Sequence, residues 1–171
     1  MVQLRMMRIL RDREYLRSIL FGAEDSLIST TGLIAGISVG SDNNQFVLFA
    51  VVISILIEAV AMGSGEYLSD DAVEDLDKIK RNRENPLLSG LLMFASYVLA
   101  GLIPLSPAIF LPFPASLILS IILALIAFFA LGYIKGKLLK VSPVRGGLKI
   151  LIIGGFATIL GLLMGFVFKL R

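Results

Sequence analysis

The sequence contains no cysteine, no histidine and no tryptophan. Without cysteine the chain can form neither a disulfide bond nor a zinc–thiolate cluster, and it has no thiol nucleophile. Without histidine it lacks the commonest metal ligand and the commonest general base. A nucleophile triad, a P-loop and a dinucleotide fingerprint are absent as well. We therefore expect no enzyme and no bound cofactor, and any chemistry must use carboxylates, hydroxyls, thioethers and the backbone.

Charged residues are also scarce. They make up 17% of the 171 residues, whereas 57% are hydrophobic; an average soluble domain has roughly 25% charged and roughly 45–50% apolar residues. A domain of this size could not enclose so much apolar surface in one core. The composition excludes a soluble enzyme, a disordered chain and a nucleic-acid-binding protein. It predicts an integral membrane protein whose excess apolar surface is covered by lipid.

Five apolar stretches are long enough to cross a bilayer as helices, which takes about 20 residues each. Backbone groups must be paired in lipid, and the stretches lack the alternation of barrel strands, so helices are expected. The sequence predicts an all-α membrane protein with one domain, residues 18–168. Pro104 and Pro107 are expected to close the third span. The five predicted transmembrane helices cover residues 18–40, 45–67, 86–103, 114–134 and 147–168.

The basic residues predict the orientation of these spans. Five lysines or arginines precede the first span, four lie between the second and third, and five lie between the end of the fourth span and the first turn of the fifth. The other two connections have none, and Lys169 and Arg171 follow the last span. Because cytoplasmic loops collect positive charge, the N-terminus is expected in the cytoplasm and the C-terminus outside. Residues 1–17 then form a basic amphipathic lead-in, and residues 69–85 form a short charged cytoplasmic segment with helical i,i+4 ion pairs.

The acidic residues inside the spans all belong to the first two. Glu24 and Asp25 lie in the first span, and Glu58 and Glu66 lie in the second. Acids in lipid are costly and are candidate functional residues. At about 1.5 Å of rise per residue, Asp25 and Glu58 reach a similar depth in an antiparallel pair of helices. With no lysine or arginine expected nearby, a cation or a shared proton would relieve their repulsion. Glu24 is expected near the interface, in water.

The second span carries a further candidate ligand. Glu58, Met62 and Glu66 follow each other at four-residue spacing and therefore share one helix face. Carboxylate oxygens suit hard divalent cations, and a thioether shifts the preference toward softer transition metals. The predicted metal-site residues are therefore Asp25, Glu58, Met62 and Glu66. Two alternatives remain open: Met62 as a core filler, and Glu66 as an interfacial cap.

Small residues line the first span. Gly32, Gly36 and Gly40 recur every four residues, and Gly161 and Gly165 do the same in the fifth span. Such repeats let membrane helices approach closely, and most of them serve packing. The first repeat is also our sequence-based support for contact between two copies of the chain.

Two motifs resemble those of the vacuolar iron transporter family. The first-helix motif is DSLISTTGLIAG, residues 25–36, and the second-helix motif is AMGSGEYLS, residues 61–69. Asn85-Pro86 at the start of the third span and LIPL at 102–105 are similar as well. The resemblance extends over residues 18–168. It implies a five-helix homodimer with a metal path between the first two helices of each subunit at the dimer interface.

The resemblance also implies an activity, namely export of Fe²⁺, with Mn²⁺ also accepted, from the cytoplasm in exchange for protons. By matching position, Asp25 would be the intramembrane ligand, Met62 the thioether ligand and Glu66 the carboxylate at the cytoplasmic entrance. Glu58 lies beside the matched motif, and its assignment rests on depth alone. Two departures stand out. The family's Glu-rich cytoplasmic domain has no room in 69–85, and Ser26 replaces a more usual glycine.

Alternatives from other functional classes remain open. The chain could be a membrane scaffold or sensor that keeps the transporter fold without transporting, or it could carry another cation or a small organic solute. The retained acids Asp25, Glu58 and Glu66 favour transport, since a scaffold does not need them. The short charged segment and the absence of a targeting signal favour a prokaryotic plasma membrane; in a eukaryote the vacuolar membrane is expected.

Overall fold

The computed structural model describes residues 13–41, 43–76 and 85–169, which form helices and contain no β-strand. The predicted all-α fold class is confirmed. Most of the basic lead-in, and residues 77–84 of the charged segment, lie outside the described residues. The five described helices are α1 (Arg13–Ser41), α2 (Asn44–Leu76), α3 (Pro86–Phe110), α4 (Ala115–Leu138) and α5 (Pro143–Val167).

Four of these helices are long and apolar enough to cross a membrane: α2 over Asn44–Val73, and α3, α4 and α5 over their whole lengths. Their outer surfaces carry large exposed apolar side chains, such as Phe110, Ile126 and Ile152. Lipid is the environment that such surfaces require. Four of the five predicted spans are thus supported by composition, whereas α1 does not reach the same apolarity.

Helix α1 is less apolar because it lies at the centre of the bundle. It packs against all four other described helices, most extensively against α3 and α5. Its small polar residues are buried against protein: Ser18 and Ser26 are fully buried, and Thr31 donates a hydrogen bond to the Leu27 carbonyl oxygen at 2.6 Å. Neighbouring helices rather than lipid cover α1, so it does not need the apolar surface of the other four.

Helix α3 continues beyond the prolines that were expected to close it. It ends at Phe110 rather than near residue 103, with Pro104 and Pro107 inside the helix. Pro107 has no N–H to donate to the Ile103 carbonyl one turn earlier. The Ser106 hydroxyl donates to that carbonyl instead, at 2.8 Å. The prediction was wrong: the helix continues past both prolines, and at Pro107 a neighbouring side chain replaces the missing backbone donor.

Asparagine side chains begin two of the helices. The Asn43 Oδ1 atom accepts from the backbone N–H groups of Gln45 and Phe46 at 3.0 and 3.1 Å. The Asn85 Oδ1 atom accepts from the Leu87 N–H at 3.0 Å, directly before the proline that opens α3. At the other end of α2 the helix extends to Leu76, so the predicted helical extension into the charged segment is confirmed to that residue.

The two glycine repeats face each other inside one subunit. A Cβ atom added to Gly161 would lie 2.2 Å from the Gly32 carbonyl oxygen, and one added to Gly165 would lie 2.4 Å from the Gly36 carbonyl oxygen. The repeats therefore pack α1 against α5, as the packing interpretation predicts. Because the glycines of the first repeat contact α5 of the same chain, the repeat no longer supports a homodimer. The homodimer stays a prediction.

Candidate functional site

Glu58, near the middle of α2, is held by hydroxyl groups. Ser54, one turn earlier, donates to one carboxylate oxygen, and Tyr97 of α3 donates its phenolic hydroxyl to the other. The Tyr97 hydroxyl also lies 2.8 Å from the Ser29 hydroxyl of α1. Because the phenolic proton is directed at Glu58, Ser29 is the donor in this second contact. A continuous run of hydrogen bonds thus connects Glu58 with α1.

The same turn of α1 also forms a hydrogen bond to the backbone of α3. The buried Ser26 hydroxyl donates to the Tyr97 carbonyl oxygen at 2.6 Å. Tyr97 itself is completely buried. Ser26, the residue that departs from the family motif, therefore helps to position the tyrosine that binds Glu58.

Asp25 lies on the same face of α1 as Ser29, one helical turn earlier. Its side chain is half-buried. Within the described part of the chain it has neither a hydrogen-bond donor nor a cationic partner. A half-buried carboxylate without a partner is costly, so a ligand from outside the chain is the simplest means of compensating its charge.

Glu66 of α2 is separate from Asp25 and Glu58. It contacts the N-terminal part of α1. Its Oε1 atom accepts from the Arg17 guanidinium at 3.0 Å and from the Ser18 hydroxyl at 2.6 Å. Ser18 precedes Asp25 by seven residues, which is about 10 Å along the helix. The hydrogen bond and the charge of Glu66 raise the pKa of the Arg17 guanidinium, so the arginine stays charged at physiological pH.

Met62 packs against apolar residues in the described chain. It is half-buried and touches the cluster that contains Val51, Ile55 and Tyr97. This is the environment expected of a core filler. The described residues give Met62 no contact with a carboxylate, so its predicted ligand role stays a prediction.

The predicted metal residues form two separate groups rather than one site. In the described residues no three carboxylates lie close enough together to hold a metal ion. Asp25 and Glu58 belong to the interior of the bundle, and Glu66 belongs to one end of it. Among the described residues, neither group therefore has three carboxylates close enough to share a metal ion.

An open groove leads to the interior group. It has a volume of about 650 Å³ and lies between α1, α2 and α5. Ser29 and Glu58 line it together with Gly32 and Gly36 of α1, which are half-buried. Glu58 is the one ionisable residue among the lining side chains of the described chain. The groove makes Glu58 accessible from outside the subunit.

A second cavity, which we call the mouth cavity, lies at the end of the bundle where α1 begins. It has a volume of about 920 Å³, and its charged lining residues are Arg13, Arg17, Glu24, Glu66 and Lys135. The Lys135 ammonium lies 2.6 Å from the Glu24 carboxylate. The sequence analysis did not predict this partner of Glu24, a lysine of α4 that is 111 residues away in the chain.

Sequence reasoning missed the residues that hold the acids. Ser54 is detectable in principle, because it precedes Glu58 by one turn on the same helix face. Tyr97 and Arg17 carry no comparable local signal. Tyr97 is one of four tyrosines, and its role depends on how α3 packs between α1 and α2.

Comparison with known proteins supports the resemblance seen in the motifs. The VIT family model matches residues 16–85 and 71–166 of the chain. Vacuolar iron transporter 1 of Tulipa gesneriana is 40% identical over 73 residues, which are 42% of this chain and 30% of the tulip protein. Vacuolar iron transporter homolog 4 of Arabidopsis thaliana is 25% identical over 158 residues, 84% of this chain and 78% of that protein. VIT-like transporter 1b of Glycine max is 24% identical over 168 residues, 86% of this chain and 73% of that protein.

Proposed function

This chain belongs to the VIT family, and from that premise we propose that it exports divalent metal ions, Fe²⁺ with Mn²⁺ as a second substrate, in exchange for protons. Asp25 is the observation that carries the proposal. It is a half-buried carboxylate that has no partner in the described chain and lies one turn from the hydrogen-bonded run to Glu58. An acid in that position is expensive unless a transported cation or a proton uses it.

The path requires that α1 also cross the membrane. Support comes from its two parallel neighbours, which are both candidate spans. Gly22 of α1 packs against Met93 of α3, and Gly36 packs against Gly161 of α5. A helix that follows two spans over this length crosses the bilayer with them. The distribution of lysine and arginine then favours a cytoplasmic N-terminus and an external C-terminus.

The acids at the mouth cavity and in the interior have different roles in the proposed path. Glu66 at the mouth cavity attracts cations from the cytoplasm. Asp25 and Glu58 receive them inside the bundle. When the metal leaves an interior carboxylate, protonation of that carboxylate restores neutrality, and loss of this proton to the cytoplasm prepares the next cycle. Met62 supplies a thioether that favours Fe²⁺ over harder cations.

A homodimer would complete the site. Octahedral coordination by hard ligands needs more oxygens than Asp25 and Glu58 of one subunit supply. The open groove exposes Ser29 and Glu58 at the subunit surface. A second copy placed against this groove would double the carboxylates and cover the apolar walls. We propose this arrangement in a prokaryotic plasma membrane, or in the vacuolar membrane if the source is a eukaryote.

Transport by purified protein in liposomes tests the proposal. Uptake of Fe²⁺ and Mn²⁺ is followed with and without an imposed pH gradient, in native protein and in Asp25→Asn. The variant keeps the shape of the side chain but removes the charge that metal and proton both need. It should abolish uptake and its pH dependence together, whereas Asp71→Asn, the same change at an exposed residue of α2, should leave both unchanged.

Two outcomes would contradict this. If Asp25→Asn transports at the native rate with the native pH profile, the interior acid is not on the path. If the native protein moves no ion from a panel of divalent cations, the scaffold or sensor alternative replaces transport.

A further inference from the structure

Two ion pairs line the mouth cavity and tie three helices together. Arg17 of α1 binds Glu66 of α2 at 3.0 Å, and Lys135 of α4 binds Glu24 of α1 at 2.6 Å. Each acid that a cation would meet in this cavity is thus already paired with a cation that belongs to the protein.

The partners of the Arg17–Glu66 pair differ in exposure. The Arg17 side chain is 64% exposed, whereas the Glu66 side chain is 11% exposed. The guanidinium can leave for water at little cost, because most of it is already hydrated. The carboxylate cannot move as easily, because it accepts a hydrogen bond from the hydroxyl of the fully buried Ser18.

The contacts of Glu66 also leave room for a second cation. Arg17 and Ser18 both bind the Oε1 atom, and the Oε2 atom has no hydrogen-bond partner in the described chain. An incoming ion can therefore contact Oε2 before Arg17 departs, so the exchange needs no intermediate in which Glu66 is unpaired.

We propose that Arg17 is a tethered counter-ion that competes with the incoming divalent cation for Glu66 and thereby sets the apparent affinity of the mouth cavity. This inference rests on the proposed function for the identity of that cation. Arg17 neutralises Glu66 while the mouth is empty and returns to it when the metal has moved on. An intramolecular competitor raises the metal concentration needed for half-maximal occupancy without entering the interior path.

The expected size of the effect follows from the exposure of the pair. Surface ion pairs contribute about 0.2–1 kcal/mol, which corresponds to about a 1.4- to fivefold change in an equilibrium constant. Removing Arg17 should therefore lower the KM for transported metal about 1.4- to fivefold and leave kcat near its native value.

Arg17→Gln tests the proposal, with Arg13→Gln as the matched control. Both arginines lie on the same face of α1 and line the mouth cavity, but Arg13 makes no ion pair in the described chain. Arg17→Gln should lower the KM for Mn²⁺ in proteoliposomes. Arg13→Gln should change the KM by much less, and Arg17→Lys should stay near native. Equilibrium binding of Mn²⁺ to the purified protein should show the same order of affinities.

The binding measurement separates this inference from the proposed function. If no variant transports metal but Arg17→Gln binds Mn²⁺ more tightly than Arg13→Gln, the competition stands and the transport proposal fails. If transport occurs but both arginine variants shift the KM equally, Arg17 contributes only general positive charge. If Arg17→Gln lowers kcat and thermal stability at unchanged KM, Arg17 is a structural tie, and the proposal is overturned.

Discussion

Tyr97 of α3 donates its hydroxyl to Glu58 of α2 while its own backbone carbonyl accepts from Ser26 of α1. One buried tyrosine thereby connects the three helices that surround the interior acids. Its ring belongs to the main apolar cluster of the bundle, so its position is set by packing and its hydroxyl is free to serve the carboxylate.

Tyr97→Phe should keep the ring in place and remove the donor to Glu58. Leaving a partly buried carboxylate short of a hydrogen bond costs about 1–3 kcal/mol, so the midpoint of thermal or denaturant unfolding in detergent should fall. Metal uptake should also slow, because Glu58 loses the group that orients it. Tyr67→Phe, at an exposed tyrosine of α2, is the control and should change neither quantity. Equal unfolding midpoints for Tyr97→Phe and native protein would contradict the contact.

Met62→Leu should affect the transport of Fe²⁺ and the transport of Mn²⁺ to different degrees. The substitution nearly preserves side-chain volume and costs less than about 1.5 kcal/mol of stability. It removes the one thioether among the predicted ligands, so Fe²⁺ uptake should fall more than Mn²⁺ uptake. The measurement is the ratio of the two initial rates in the same proteoliposomes. An unchanged ratio would assign Met62 to the apolar cluster alone.

Gly161→Ala should destabilise the subunit. Its new Cβ would lie 2.2 Å from the Gly32 carbonyl oxygen, a backbone atom that cannot move aside cheaply. Overpacking of this kind costs about 1–3 kcal/mol. Gly155→Ala is the matched control in the same helix, because a Cβ there meets no atom within 4 Å. The measurement is the unfolding midpoint of each variant compared with native protein. A native midpoint for Gly161→Ala would contradict close packing of α1 on α5.

The α1–α2 and α4–α5 connections should lie on opposite sides of the membrane. Because the native chain has no cysteine, single cysteines introduced at Gln45 and Val141, both exposed, report without background. A membrane-impermeant thiol reagent added to intact cells should label Gln45→Cys and spare Val141→Cys until the cells are opened. Labelling of both before lysis would refute the orientation predicted from lysine and arginine.

The sequence by itself determined the helical class, most of the helix positions and the acids worth testing. These properties depend on composition and local spacing: apolar runs long enough for lipid, and acids at 25, 58 and 66 within those runs. It failed at Pro104 and Pro107, where the helix continues and the Ser106 hydroxyl donates to the carbonyl that Pro107 leaves unpaired.

Only the tertiary structure decided which partner each group has. Hydrogen bonds and ion pairs act over about 3–4 Å, so they depend on which helix lies beside which, and local spacing does not contain that information. Packing places Tyr97 against Glu58, pairs Glu24 with Lys135 and Glu66 with Arg17, and uses the glycines of α1 against α5. It also leaves Asp25, among the described acids inside the bundle, without a hydrogen bond or a counter-ion, because no donor of a neighbouring helix lies within reach.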